Sequence, residues 1–154
     1  MLKYYNYDIV FAEIPDEVTL AINITCCPNH CKGCHSPWLQ QDGGEVLDFG
    51  SIDSLVGRYG DQITCFCFMG GDSNPQDVEQ LSLYIRNNYG SIKTAWYSGK
   101  PQLPVAVNAS SFDYIKIGEY QEKYGPLNEQ TTNQRLYKMD VRGEMENITS
   151  RFWR

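Results

Sequence analysis

The sequence predicts an α/β fold whose core strands run parallel, and three observations predict it. A strand-length apolar run, Ile63 to Met69, suits a strand buried on both faces, as strands of parallel sheets are. A well-delimited helix, Pro75 to Asn88, separates that run from the next strand-like segment, Ile92 to Tyr97. The strand-like segments also stop at glycine-bearing turns (CKGC, GGD, SGK, IGE), which parallel folds gather on one rim.

In chain order, Tyr4 to Ile14 mixes aromatic and β-branched residues and reads as a strand or an edge ribbon. Val18 to Thr25 alternates Val18, Leu20, Ile22 and Ile24 with smaller or polar residues, the period of a strand. It runs directly into CCPNHCKGCHSPW, where Pro28, Asn29, Gly33 and Pro37 predict a loop. After Gly43–Gly44, residues Ile52 to Tyr59 fit a short helix. In the helix from Pro75 to Asn88, Asn74 fits the N-cap and Pro75 the first helical position, where a missing donor costs nothing. Val78, Leu81 and Ile85 fall on one helical face, and Gly90 reads as a stop. Tyr114 to Ile117 is a further strand, and Gln134 to Val141 contains a last one. Strand, loop, helix, strand, helix, strand implies parallel pairing through right-handed crossovers.

The 154 residues fit one domain spanning 1–154. Composition is that of an ordinary globular protein, 42% hydrophobic and 21% charged, without repeats or low-complexity tracts. No apolar run reaches the roughly 18–20 residues of a membrane span, and MLKYYNYDIV lacks the features of a secretory signal. A cytoplasmic, membrane-free protein is expected. The net charge of −6, with no Lys/Arg block, argues against nucleic acid as a partner. The 11 tyrosines read as core and boundary residues.

Four of the six cysteines fall between Cys26 and Cys34, a clustering typical of metal ligands rather than framework disulfides. Cys27, Cys31 and Cys34, spaced x3 and x2, can hold three irons of a cubane [4Fe–4S] cluster. The fourth iron then lacks a protein ligand, whereas ferredoxin-like carriers use four cysteines per cluster. An open coordination position admits a small chelating molecule, the feature that separates catalytic from structural metal sites. The bland alternative is a structural zinc with His30, His35 or Cys26 as fourth ligand. Zinc sites of that type usually pair two separated ligand knuckles. Cys65 and Cys67 alternate with Phe66 and Phe68 and read as small buried hydrophobes rather than a second knuckle. Gly70-Gly71-Asp72 and Ser98-Gly99 are each explained equally well by plain turns when taken alone.

The cysteine spacing, on a loop after the first core strand, resembles that of the radical S-adenosylmethionine superfamily. Gly70-Gly71-Asp72 resembles its glycine-glycine-acid motif. CPNHCKGC with the histidine that follows it, GGD, WYSG and TNQR (Thr132 to Arg135) further resemble the activating proteins of anaerobic, class III ribonucleotide reductases, over about Val18 to Lys138. This chain has Ser73 where those proteins often have proline, and Gly33 where the wider superfamily usually has an aromatic. The resemblance implies a partial, open (βα) barrel with a [4Fe–4S] cluster on the catalytic Cys27, Cys31 and Cys34. It implies an S-adenosyl-L-methionine site drawing on Gly33, Cys34, His35, Gly70, Gly71, Asp72 and Ser98. The implied activity is reductive cleavage of S-adenosylmethionine to a 5′-deoxyadenosyl radical, which generates a glycyl radical on anaerobic ribonucleoside-triphosphate reductase. A low-potential donor such as a flavodoxin or ferredoxin would supply the electron. The rival readings are an activase of another glycyl-radical enzyme and a non-catalytic zinc-binding or iron–sulfur adaptor module. Asn133, Gln134 and Arg135 receive no catalytic role.

Overall fold

The computed structural model describes residues 2–25 and 44–153. They form an open eight-stranded mixed sheet with two α-helices. The strands are β1 (Lys3–Val10), β2 (Thr19–Ile24), β3 (Glu45–Val46), β4 (Cys65–Met69), β5 (Lys93–Tyr97), β6 (Tyr114–Ile117), β7 (Arg135–Met139) and β8 (Met145–Asn147). Helix α1 (Phe49–Tyr59) precedes β4, and α2 (Pro75–Asn88) joins β4 to β5. The order across the sheet is β3-β1-β2-β4-β5-β6-β7-β8.

The expected parallel core is present: β2, β4, β5 and β6 pair parallel in sequence. The expectation of parallel strands is corrected at both flanks. β1 and β3 add antiparallel on one side, β7 and β8 on the other. Antiparallel neighbours need only a loop between them, and no α-helix intervenes between β1 and β2 or between β6 and β7. The crossover from β5 to β6 is also made without an α-helix, through a 3-10 turn at Ala109–Ser111.

Strand periodicity sorts the core into two layers. Phe66 and Phe68 point to the helix-covered face with Leu20, Ile22 and Trp96, where they meet Ile52 of α1 and Val78, Leu81 and Ile85 of α2. Cys65 and Cys67 point the other way, into a smaller cluster with Ile14, Ala95, Tyr114 and Leu136. That second face is covered by irregular chain around Ile14 and by the C-terminal 3-10 turn Thr149–Trp153. Both faces of β4 are therefore buried, which is why its sequence is apolar at consecutive positions.

The helices begin where their caps dictate. Asp48 accepts from the Ser51 amide at 2.9 Å while the Ser51 hydroxyl receives the Asp48 amide, a reciprocal box that starts α1 three residues before Ile52. Asn74 caps α2 with Pro75 at its first position. The last turn of α2 closes at Tyr89, whose amide donates to Ile85 O at 2.7 Å, rather than at Gly90.

A polar cluster pins the N-terminal end of the parallel strands. Glu17, almost fully buried, accepts from Thr64 Oγ1 (2.7 Å), Lys93 Nζ (2.8 Å) and Tyr114 Oη (2.6 Å). Burial pushes its carboxyl up, but the hydrogen bonds from Lys93, Tyr114 and Thr64 outweigh burial and leave it below the ordinary glutamate range. One carboxylate thus ties together the segments leading into β2 and β4 and the strands β5 and β6.

Candidate functional site

The glycine turns after β4, β5 and β6 converge on one rim at the C-terminal end of the parallel strands. Gly70 N donates to Tyr97 O at 3.0 Å, Ser98 N to Lys116 O at 2.8 Å, and Gly118 N to Lys100 O at 2.8 Å. Thr25, the last described residue before the cysteine segment, sits at the same end, its amide bonded to Lys3 O at 2.9 Å.

Gly70 and Gly71 are glycines for a backbone reason. Their φ angles are +105° and +93°, a region that side chains with a Cβ rarely adopt. A Cβ on Gly71 would lie 2.5 Å from Val78 Cγ2, inside α2 packing, while one on Gly70 would stand 3.3 Å from Ile24 O. The turn they make is fastened from three sides. Trp96, fully buried, donates its indole N–H to Gly70 O at 2.7 Å. The Asn74 amide donates to Gly71 O at 3.0 Å, which couples the turn to the start of α2. Asp72 then reaches across to the neighbouring strand end, accepting from Ser98 Oγ at 2.5 Å and from the Gly99 amide at 2.8 Å. Ser98 Oγ also receives the Lys100 amide at 3.1 Å.

Beside this rim, on the face away from the helices, lies an open groove of about 510 Å³. Met69, Tyr97 and Lys116 come from the ends of β4, β5 and β6, and Leu127, Gln134 and Phe152 from later chain. That volume is of the size of ordinary small-molecule sites, roughly 300–1,000 Å³. Lys116 is 7% exposed and donates to Ser98 O (2.9 Å) and Gly118 O (3.1 Å), with its ammonium 5.5 Å from the Tyr97 ring centre. Burial pushes the Tyr97 phenol well above its ordinary range, and its hydroxyl donates to Glu13 O.

Of the residues the sequence singles out, Gly70, Gly71, Asp72 and Ser98 are brought together at the rim. Cys27, Cys31, Gly33, Cys34 and His35 lie outside the described residues, as do Cys26 and His30. Among the described residues no group of three or more His, Cys, Asp or Glu is placed to hold a metal ion. No helix among them is long and apolar enough to cross a membrane. Cys65 and Cys67 are free and buried, and burial drives both thiols up, away from the thiolate form that binds metals. Two side chains of the Thr132–Arg135 segment fasten it to the turn after β6: Gln134 Nε2 donates to Gly118 O (3.3 Å) and Asn133 Nδ2 to Glu119 O (2.9 Å). A Cβ on Gly118, at φ +108°, would approach Gln134 Cα to 2.9 Å, so glycine and segment fit as a pair.

Sequence reasoning missed Lys116. Its signal is the alternation in Tyr114-Ile-Lys-Ile117: flanking isoleucines on the helix face put the lysine on the face that carries the groove. The 3-10 turn ending at Trp153 was also missed, although it supplies Phe152 to the groove and anchors itself by Trp153 Nε1 to Leu127 O at 2.9 Å.

Fold and rim together define an α/β protein with a ligand-sized groove at the carboxyl ends of its parallel strands, the location where such sheets bind small molecules. Compared with protein-family models, curated proteins and solved structures, the chain has no significant match.

Proposed function

We propose that this chain is a radical S-adenosylmethionine activating enzyme that generates a glycyl radical on an anaerobic ribonucleoside-triphosphate reductase. The observation that carries the reading is a coincidence of sequence and fold. In sequence, Cys27-x3-Cys31-x2-Cys34 begins two residues after Thr25, and Thr25 lies at the end of the sheet where Gly70–Asp72 meets Ser98–Gly99. On this reading the open sheet is a partial (βα) barrel, and its inner face is the one bearing Met69, Tyr97 and Lys116.

The donor chemistry fits the groups involved. Three closely spaced thiols suit three irons of a [4Fe–4S] cluster and leave one iron position for a chelating ligand. At the rim, the Asp72 carboxylate and the carbonyls of Gly70 and Gly71 are acceptors, as an α-ammonium group requires. Each glycine carbonyl accepts one described hydrogen bond and retains a second lone pair. Tyr97 and Met69 offer apolar and aromatic surface in the groove, and Leu127 and Phe152 add apolar lining.

When bound, the cluster and S-adenosylmethionine supply a 5′-deoxyadenosyl radical by one-electron reductive cleavage, with a flavodoxin or ferredoxin as electron source. The chain's own part is positional. Asp72 and the glycine turn hold the ammonium end, and the groove orients what enters beside it. Its openness suits a substrate that is a segment of another protein.

Anaerobic reconstitution with iron and sulfide tests the proposal. The reading requires a brown protein with about four irons that yields 5′-deoxyadenosine from S-adenosylmethionine on reduction, and loss of that yield in Cys31→Ala. A colourless protein holding one zinc, or turnover retained in Cys31→Ala, would contradict it.

A further inference from the structure

We infer that Ser98 is a positioning residue for Asp72 and does not itself contact the ligand; this rests on the reading of the rim as an S-adenosylmethionine site. Ser98 follows β5 directly and is 0% exposed, so its hydroxyl does not face the groove. Its hydrogen is committed to Asp72 at 2.5 Å, and its oxygen accepts the Lys100 amide at 3.1 Å. The Gly99 amide takes the other Asp72 oxygen at 2.8 Å. The Ser98 carbonyl receives Lys116 Nζ at 2.9 Å, and its amide donates to Lys116 O. Every polar atom of Ser98 is thus engaged with protein.

Two donors from consecutive residues, one on each carboxylate oxygen, fix both the rotation and the tilt of the Asp72 carboxylate. A carboxylate oxygen can accept more than one hydrogen bond, so a donor on each oxygen is compatible with further acceptance. The same residue bridges the ends of two strands. Lys116, buried in the groove wall, touches the Ser98 carbonyl, while Asp72 touches the Ser98 hydroxyl. Removing the hydroxyl therefore loosens the Asp72 carboxylate without removing a contact of Ser98 with the ligand.

Equilibrium dialysis of S-adenosylmethionine against the anaerobically reconstituted protein tests this, with thermal melting run on each variant. Ser98→Ala is expected to weaken binding about ten-fold, the size of one charge-assisted hydrogen bond. Asp72→Asn is expected to weaken it as well, and the double variant no more than Asp72→Asn alone, because Ser98 acts through Asp72. Ser98→Thr, which keeps the hydroxyl, is expected to recover most of the affinity. If Ser98→Ala fails to fold, Ser98→Cys keeps the volume with a far weaker donor and replaces it in the comparison. A lower melting temperature with wild-type affinity overturns the inference and leaves the site reading intact, as does a double variant whose losses add. Wild-type protein that binds no S-adenosylmethionine overturns the site reading and the inference with it.

Discussion

Replacing each glycine of the Gly70–Gly71 turn by alanine separates two physical causes that the structure distinguishes by one residue. Both positions have strongly positive φ, so either alanine carries a backbone penalty of about 1–2 kcal/mol. At Gly70 the new methyl meets Ile24 O at 3.3 Å, a tight contact that a small shift relieves. At Gly71 it meets Val78 Cγ2 at 2.5 Å and Ile24 Cδ1 at 3.3 Å, and Val78 is fully buried under α2. Overpacking of that kind typically adds about 1–3 kcal/mol. Gly71→Ala is therefore expected to destabilise by about 2–5 kcal/mol and Gly70→Ala by about 1–2 kcal/mol. With a urea slope near 2 kcal/mol/M, the two midpoints should differ by about 0.5–1.5 M, Gly71→Ala unfolding first. Urea titration followed by tryptophan fluorescence reads this directly, since Trp96 donates to Gly70 O. Equal midpoints, or Gly70→Ala as the weaker protein, would refute the argument that α2 packing dictates the second glycine.

Glu17→Gln is expected to cost about 1–3 kcal/mol at neutral pH, mainly through the bonds to buried Tyr114 and to Thr64. Lys93 is about half exposed, and its ion pair contributes little. Because the folded-state pKa of Glu17 lies below the ordinary 4.5, the wild-type advantage is fully present above that value and shrinks as pH falls through the folded pKa. An advantage that instead grows on acidification would contradict the assigned hydrogen bonds. Cys65 and Cys67 are expected to resist iodoacetamide in the native protein and to react once it is unfolded, because burial raises both thiols. Mass mapping of the peptide carrying both reads this, and native labelling at the rate of an exposed thiol would show that face of β4 to be open.

Much of the parallel core is legible in the sequence because its determinants are local. Helix α2 carries its own start in Asn74 and Pro75 and its own buried stripe in Val78, Leu81 and Ile85, so its bounds can be read without neighbours. β4 is apolar on both faces because both are covered, which marks it as central. The flanks are harder. β3 has only Glu45 and Val46, and β8 only Met145 to Asn147, all exposed, so neither carries an alternating pattern. Non-local pairing with Lys3 and Tyr4 makes β3 a strand, and hairpin pairing with β7 makes β8 one. The site divides the same way. The convergence of GGD, SGK and IGE follows from strand ends in a parallel sheet, and it is present. The partnership of Asp72 with Ser98 joins residues 26 apart, and neither residue's local pattern shows that they meet. Ser98 reads from sequence as a residue of the cofactor pocket, and the hydrogen bond from its hydroxyl to Asp72 is what the sequence does not show.

The proposed function stands on radical transfer to a partner protein, which electron paramagnetic resonance detects on the partner itself. The reduced, reconstituted chain is mixed anaerobically with S-adenosylmethionine and a class III ribonucleoside-triphosphate reductase from the same source, and the frozen sample is examined. The expected signal is a doublet from a carbon-centred glycyl radical that needs all three components and disappears with Cys27→Ala, Cys31→Ala or Cys34→Ala. A silent reductase beside a chain that still cleaves S-adenosylmethionine would contradict the assigned partner. The same doublet appearing with a cysteine variant would contradict the chemistry.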